Sequence, residues 1–201
     1  MPPLTRAELE TFRGAEVPDL VRPGVLLVFV GINPGLMTAA RQIHFGNPAN
    51  RFRPALVAAG LLEPPPAGTP GMTQADLATL LARGIGITNL VPFATAQADE
   101  LSKAQLVAGR TRLESFVTEH RPRVVAVLGI TAYRTAFGRP HATPGRQTEQ
   151  IGDAELWVVP NPSGLNAHES VTSLAAAYAA PARAAGVELS TTADRLMKPG
   201  G

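Results

Sequence analysis

Two asparagines, each followed by proline, stand where they could do chemistry. Asn33 comes after the apolar run of residues 25–30, and Asn161 comes after a second apolar run at residues 156–159. Runs of this kind, rich in β-branched and large side chains, are typical of strands buried on both faces of a parallel sheet. Because proline cannot continue a strand ladder, each asparagine is expected at the carboxyl edge of its strand. Open α/β sheets hold ligands at that edge, so the crevice between the two asparagines is the predicted active site.

Strand-ending punctuation is the alternative explanation for these two turns. Asn, Pro and Gly end strands in many proteins, and Gly31 and Gly35 would then serve only the tight turn. Either turn alone is explained about equally well in this way. Two such turns on one rim favour the functional interpretation.

The composition narrows the possible chemistry. The 201 residues include no cysteine, which excludes disulfides, thiolate-held clusters and thiol catalysis. The four histidines have no ligand spacing, so no metal site and no cofactor are predicted. Because neither a signal sequence nor a run of about 18 apolar residues is seen, we expect a cytoplasmic protein with no membrane partner.

Arginine carries almost all of the positive charge. The net charge of +2 does not by itself indicate a nucleic-acid partner. Seven arginines lie between residues 110 and 146 against two glutamates, and such a basic face could lie along a polyanion. A solvated helix surface explains the pattern at least as well.

Strands and helices alternate along the chain. Strands are expected at residues 25–30, 85–90, 123–129 and 156–160, with a hairpin that leads from residues 147–151 through a turn at 152–153. Helices are expected at residues 6–13, 54–60, 73–82, 101–120, 130–137 and 169–185, whereas the stretch between Gly35 and Arg53 lacks periodicity and is expected to be a functional loop. The pattern predicts an α/β fold, a three-layer α/β/α sandwich with a mostly parallel central sheet. Residues 1–24 would be a lead-in, residues 25–186 a single domain and residues 187–201 a flexible tail.

Three motifs together resemble those of a known enzyme family. They are GINPGLMTAARQIHFGNPANRF at residues 31–52, GITNLVPFATAQADELSKAQL at residues 86–106 and NPSGLNA at residues 161–167. In order and approximate spacing they are similar to motifs of the mismatch-specific uracil-DNA glycosylases, relatives of the thymine-DNA glycosylases. The resemblance spans about residues 25–185 and implies a uracil-DNA glycosylase-like fold. It also implies a monofunctional enzyme of base excision repair that flips uracil out of a G·U mismatch and hydrolyses its N-glycosidic bond.

The same resemblance implies a partner and residue roles. The partner would be double-stranded DNA with mismatched or damaged bases, bound by a monomer. Asn33 would position the attacking water, because an amide can orient water but has no useful basicity. Phe45 would stack on the flipped base, and Leu165 would enter the duplex as an apolar wedge, although core packing is the alternative for both side chains. The residues implied in base binding are Ile32, Gly35, Thr38, Phe45 and Asn161, and those implied in DNA contact are Ser163, Gly164, Leu165 and Asn166.

A carboxylate is the second catalytic candidate. Asp99 follows the second central strand, on the rim expected to carry Asn33, where it could stabilise developing positive charge or deprotonate the water. The alternative is that Asp99 or Glu100 caps the helix expected to start near Leu101.

Two departures from the family pattern concern DNA affinity. Ala167 and His168 follow the implied DNA-contact residues 163–166, at a place where relatives usually have arginine. Asn89 stands where bacterial relatives often have a basic residue. A competing interpretation is a phosphate-binding module built on the GINPG turn, although the glycine spacing of a dinucleotide site and the lysine of a phosphate loop are absent. A non-catalytic binder of damaged DNA is another.

Replacing the proposed wedge tests its role. Leu165→Ala should weaken DNA binding and base excision together, because nothing would then fill the vacated stack. Binding to a G·U duplex and single-turnover excision would be measured beside thermal unfolding. A variant that loses only stability would show that Leu165 packs in the core.

Overall fold

Four parallel strands carry both asparagines to one rim of a sheet. In the computed structural model, which describes residues 4–69, 71–164 and 169–190, the strand order is β2-β1-β3-β5-β4. The strands span Leu27–Gly31 (β1), Ile85–Asn89 (β2), Val124–Leu128 (β3), Gly145–Ile151 (β4) and Ala154–Val159 (β5). Strand β4 runs antiparallel to β5, and the two form the predicted hairpin. Every residue of β1, β2 and β3 is buried, as the apolar runs predict.

Helices cover both faces of this sheet. They span Arg6–Glu10 (α1), Leu36–Arg41 (α2), Phe52–Ala58 (α3), Gln74–Ala82 (α4), Lys103–His120 (α5), Ile130–Phe137 (α6) and Val171–Ala185 (α7), and a 3₁₀ turn covers Ala98–Glu100. Helices α3, α4 and α7 pack with Leu27 and Phe29 on one face. Helices α5 and α6 pack with Val28 and Val30 on the other. The expected three-layer α/β/α sandwich with a mostly parallel sheet is confirmed.

The order of the strands creates a crevice beside β1. Strand β1 pairs with β2 on one side and with β3 on the other, and β3 then pairs with β5. The chain leaves β1 over one face of the sheet through α3 and α4, and it leaves β2 over the opposite face through α5. Such a reversal separates the loops beyond the carboxyl ends of β1 and β3 and leaves room for a ligand between them.

Helix α2 is not predicted from the sequence. The stretch between Gly35 and Arg53 was expected to be irregular, but it contains helix α2 and the start of α3. Leu36 and Ala39 lie one turn apart in α2 and pack against Val17 and Ala94. A helix of six residues is too short for its periodicity to be recognised, and tertiary packing stabilises it.

The segments on either side of residues 25–186 are also packed. Leu20 exchanges two backbone hydrogen bonds of 2.8 Å with Ile87 of β2, so the lead-in lies along the edge of the sheet. Val187 is buried, and the Ser190 amide donates to the carbonyl oxygen of Gly60 at 2.9 Å. The expectation of a flexible tail is therefore wrong for residues 187–190, and residues 191–201 lie outside the described part of the chain.

A buried ion pair connects α3 to the start of α4 and gives a test of the fold. Arg53 donates to both carboxylate oxygens of Asp76 at 2.8 and 3.0 Å, and Thr73 donates to the same carboxylate. Burial acts to raise the pKa of Asp76, but the hydrogen bonds from Arg53 and Thr73 outweigh it and hold this pKa below its ordinary value.

Asp76→Asn should lower the free energy of unfolding by about 3 kcal/mol at neutral pH, because it leaves a buried guanidinium without its counter-ion. The carboxylate contributes stability above its unfolded pKa of about 4 and loses it as the pH falls through the lower folded value. The difference from the parent should therefore shrink in acid. Urea denaturation across this pH range would measure it, with the exposed turn variant Asp153→Asn as control; a difference that stays constant in acid would contradict the assignment.

Candidate active site

A cleft of about 830 Å³ opens at the carboxyl ends of β1, β2 and β5. Its lining includes nine of the residues singled out from the sequence: Ile32, Asn33, Gly35, Thr38, Phe45, Asp99, Asn161, Ser163 and Gly164. Leu165 and Asn166 lie outside the described residues. The structure therefore brings the candidates from three distant parts of the chain into one cavity, while their individual roles stay predictions.

Asn33 is held in a single orientation at the end of β1. Its side-chain nitrogen donates to the hydroxyl of Thr95 at 2.7 Å and to the carbonyl oxygens of Pro34 and Phe93 at 3.2 and 3.3 Å. Carbonyl oxygens only accept hydrogen bonds, so the amide nitrogen must face them and the amide oxygen must face away. Within the described ranges no protein group donates to that oxygen, which can accept a hydrogen bond from water.

Thr95 is a site residue that sequence reasoning missed. Its hydroxyl accepts from Asn33 and donates to the carbonyl oxygen of Gln97 at 2.7 Å, and its backbone nitrogen donates to Pro34. These contacts join the loop after β1 to the loop after β2. One signal in the sequence could have identified Thr95, namely its position on the loop after β2, which is expected to reach this rim.

Phe45 forms an aromatic wall of the cleft. Its ring packs on Phe52 with centroids 4.0 Å apart and 31° between the planes, while Phe45 is itself only partly buried and lines the cavity. Its φ of 53° lies in the left-handed region, which is uncommon for a bulky residue and is found at functional sites more often than elsewhere. Arg41 donates to the carbonyl oxygen of Gly46 at 2.6 Å and fixes the chain just after this residue.

Gly35 leaves open space in the cavity. Its backbone is extended, with φ of −79°, and a Cβ added there would meet no heavy atom within 4 Å. The fold therefore does not require glycine at this position. Gly35 is exposed and lines the cleft next to Asn33, so a ligand can approach its backbone.

Two further polar side chains of the lining are buried and were given no role from the sequence. Asn89, at the end of β2, is 5% exposed, and its side chain makes no hydrogen bond to any described residue. Its amide oxygen would lie 2.3 Å from a Cβ at Gly31, so the glycine makes room for it. The sequence identifies Asn89 only as a departure from a basic pattern, although it ends β2 beside Gly31, the last residue of β1.

His44 is the second of these buried polar side chains. Its Nε2 lies 2.9 Å from the carbonyl oxygen of Pro18 and must carry the proton, because a carbonyl can only accept. Burial lowers the pKa of His44, against smaller opposing effects of the Pro18 bond and of Asp19. The ring is therefore neutral near pH 7, with Nδ1 left as an acceptor.

Asp99 and Glu100 have different surroundings. Glu100 accepts from the backbone of Gln97 at 2.7 Å, forms an ion pair with Arg13 and so caps the 3₁₀ turn, whereas α5 is capped by Ser102. Hydrogen bonds from Arg13 and Gln97 lower the pKa of Glu100. Asp99 is exposed at the rim of the cleft. Neither acid caps the helix that was expected to start near Leu101, because Ser102 takes that role, and Glu100 caps only the 3₁₀ turn.

The arginines between residues 110 and 146 do not form a free basic face. Arg110, Arg139 and Arg146 pair with Glu114, Glu149 and Glu155, each at 2.9 to 3.0 Å, and Arg112 pairs with Asp19 at 2.6 Å. Arg134 donates both of its contacts to the carbonyl oxygen of Ala142. Carboxylates of the protein itself thus pair with four of the seven arginines, and a backbone carbonyl oxygen accepts from a fifth.

The described part of the chain offers no cluster of three or more His, Cys, Asp or Glu side chains that could hold a metal ion. In the same ranges, no helix has both the length and the apolar character needed to cross a membrane. Among its described residues the cleft presents an oriented amide, an exposed carboxylate and an aromatic face.

Known proteins resemble this chain both in sequence and in fold. Residues 18–181 match the uracil DNA glycosylase superfamily. The fold is also similar to the solution NMR structure of a candidate uracil DNA glycosylase from Methanosarcina acetivorans, with a TM-score of 0.52, 18% sequence identity, and coverage of 84% of this chain and 96% of that one. At that identity the structural similarity shows a shared fold, while the sequence match extends over most of the chain. The chain therefore belongs to the uracil DNA glycosylase superfamily.

Proposed function

We propose that this protein is a monofunctional DNA glycosylase that flips uracil out of G·U mismatches and hydrolyses its N-glycosidic bond. Membership of the superfamily supports uracil excision from DNA. The mismatch preference and the monomeric state rest on the resemblance of the three motifs. The observation that carries the proposal is the fixed orientation of Asn33, whose amide oxygen can hold a water in the same cleft as the ring of Phe45.

Binding begins with extrusion of the base. A base within a duplex is inaccessible, and flipping it costs a few kcal/mol, less for a poorly paired G·U. In the cleft the flipped base stacks on Phe45, an interaction of roughly 1–3 kcal/mol per base. Asn89 offers both a donor and an acceptor, the combination needed to pair with the carbonyl and N–H edge of uracil.

Hydrolysis then depends on orientation and charge stabilisation. Asn33 accepts a hydrogen bond from the water and aims it at the sugar carbon, but it cannot take up the proton. The proton that the water loses on bonding to this carbon passes to Asp99 or to solvent. The bond to the base breaks through a sugar with oxocarbenium character, and hydrogen-bond donors around the departing uracil anion stabilise its charge. Asp99 at the rim of the cleft supplies the negative charge that favours such a sugar cation.

Release of uracil from a defined duplex tests the proposal. The purified protein would be incubated with a G·U duplex and then with hot alkali, which cleaves the strand at an abasic site. Strand cleavage supports the glycosylase. Binding without cleavage would instead favour a non-catalytic damage binder, and the absence of both would favour the phosphate-binding module.

The two catalytic candidates can be separated by single-turnover excision. Asn33→Ala should slow excision about a hundredfold or more, because the water loses its acceptor. Asp99→Asn should slow it about tenfold if the carboxylate stabilises the sugar cation. Glu100→Gln serves as control, since Glu100 caps a turn and should affect stability more than rate. If Asp99→Asn excises uracil at the parental rate while Asn33→Ala is slow, the carboxylate takes no part in the chemical step.

Thr38 gives a test of base selectivity. It is 7% exposed and lines the cleft, and its branched side chain is proposed to crowd a methyl group on carbon five of the flipped base. The parent should therefore prefer uracil to thymine, and Thr38→Ala should narrow that preference. Rates on G·U and G·T duplexes would be compared, with the exposed helix variant Thr111→Ala as control. Equal rates of the parent on both duplexes would exclude the steric explanation.

A further inference from the structure

Arg51 links two loops that both line the cleft. We define the Phe45 loop as residues 44–50 and the Ser163 turn as residues 161–164. Arg51 directly follows the first, and its guanidinium donates to the carbonyl oxygen of Ser163 at 2.7 Å and to that of Glu169. Its backbone nitrogen donates to the carbonyl oxygen of Pro162 at 3.0 Å.

The two loops also approach each other closely beside this residue. A Cβ added to Gly164 would lie 3.1 Å from the carbonyl oxygen of Ala49, so the backbones are in near contact. Both loops contribute to the lining of the cleft: the first contributes Phe45, Asn47, Ala49 and Asn50, and the second contributes Asn161, Ser163 and Gly164. Arg51 is partly buried and is not itself among the residues that line the cavity.

We propose that Arg51 is a positioning residue that sets the width of the base-binding cleft by holding the Ser163 turn against the Phe45 loop. Arg51 is not among the residues that line the cavity, so it acts on the base through these two loops. The proposal rests on the proposed glycosylase function and extends it to base affinity. The water site should be independent of Arg51, because Asn33 is held by groups at Pro34, Phe93 and Thr95, on other loops.

A second arginine with similar contacts supplies a matched control. Arg83 donates to the carbonyl oxygens of Gly60, Leu61 and Glu188, and so it too joins two chain segments through their backbones. Its contacts do not include any residue of the cleft. Arg83→Ala should therefore remove a similar set of hydrogen bonds between two chain segments and leave base binding unchanged.

The first experiment compares Arg51→Ala, Arg51→Lys and Arg83→Ala by single-turnover excision of uracil from a G·U duplex. Arg51→Ala should raise the half-saturating enzyme concentration about tenfold or more, the effect of losing one charge-assisted hydrogen bond. Its rate at saturation should stay within about threefold of the parent, because the water site is unchanged. Arg51→Lys should fall between parent and alanine, since an ammonium lacks the planar fork that spans both carbonyls.

Guanidinium ion provides a readout that a purely structural role would not move. At about 20 mM, well below denaturing concentrations, it should restore part of the affinity of Arg51→Ala and leave Arg83→Ala unchanged. Thermal unfolding of each variant would show the folded fraction. If Arg51→Ala does not fold, Arg51→Lys decides: a parental half-saturating concentration in that variant would overturn the proposal.

A binding measurement separates this proposal from the proposed function. A G·U duplex with 2′-fluoro-deoxyuridine resists cleavage, and its affinity can be followed by fluorescence anisotropy. Weaker binding by Arg51→Ala than by Arg83→Ala supports the role of Arg51 whether or not the parent cleaves uracil. Equal weakening of duplex binding in the two variants would overturn it. An excision defect of Arg51→Ala that is confined to the rate at saturation would also overturn it. Absence of cleavage by the parent would overturn the proposed function alone.

Discussion

The geometry of the cleft depends on three acceptors that surround the side-chain nitrogen of Asn33. Two are carbonyl oxygens and one is the Thr95 hydroxyl, and they come from the loops that follow β1 and β2. An amide can be reversed about its last torsion at little cost in water, and here reversal would place its oxygen against two other oxygens. The sheet order is what makes this possible, because β1 and β2 are parallel neighbours that end at the same rim.

The loops are in turn fixed by segments that carry no catalytic group. The backbone of Gly14 donates to Ala94, and that of Ala94 donates to Ala15, so the chain after α1 pairs with the loop that holds Thr95. On the other side of the crevice, Tyr178 of α7 donates to the carbonyl oxygen of Pro160 at 2.9 Å. The site is therefore supported by elements from both ends of the chain, in keeping with a cavity assembled from loops on a rigid sheet.

Much of this arrangement could be predicted from the sequence, and the exceptions share a physical cause. Apolar runs identify buried strands, and a proline after asparagine identifies their ends, so Asn33 and Asn161 could be placed on one rim. Helix α2 escaped prediction because its apolar residues face the lead-in and no long period reveals them. The contacts of Thr95 with Asn33 and of Arg51 with Ser163 could not be predicted, because these partners lie 62 and 112 residues apart in the chain and only packing brings them together. Phe45 could be singled out by type, but its left-handed backbone could not.

Arginine plays a different part from the one that composition indicated. Several guanidinium groups donate to backbone carbonyls that lie on other segments or just beyond a helix end, among them those of Arg41, Arg51, Arg83, Arg112 and Arg134. In a chain without cysteine these contacts tie loops together, and a planar group with five donors suits that purpose better than an ammonium. A further consequence concerns the lead-in, whose Leu20 bonds to Ile87 and whose Asp19 accepts from Thr88 at 2.6 Å. Through this bridge the lead-in occupies the outward-facing backbone groups of Ile87, in the middle of edge strand β2, which would otherwise be open to strand addition from another molecule.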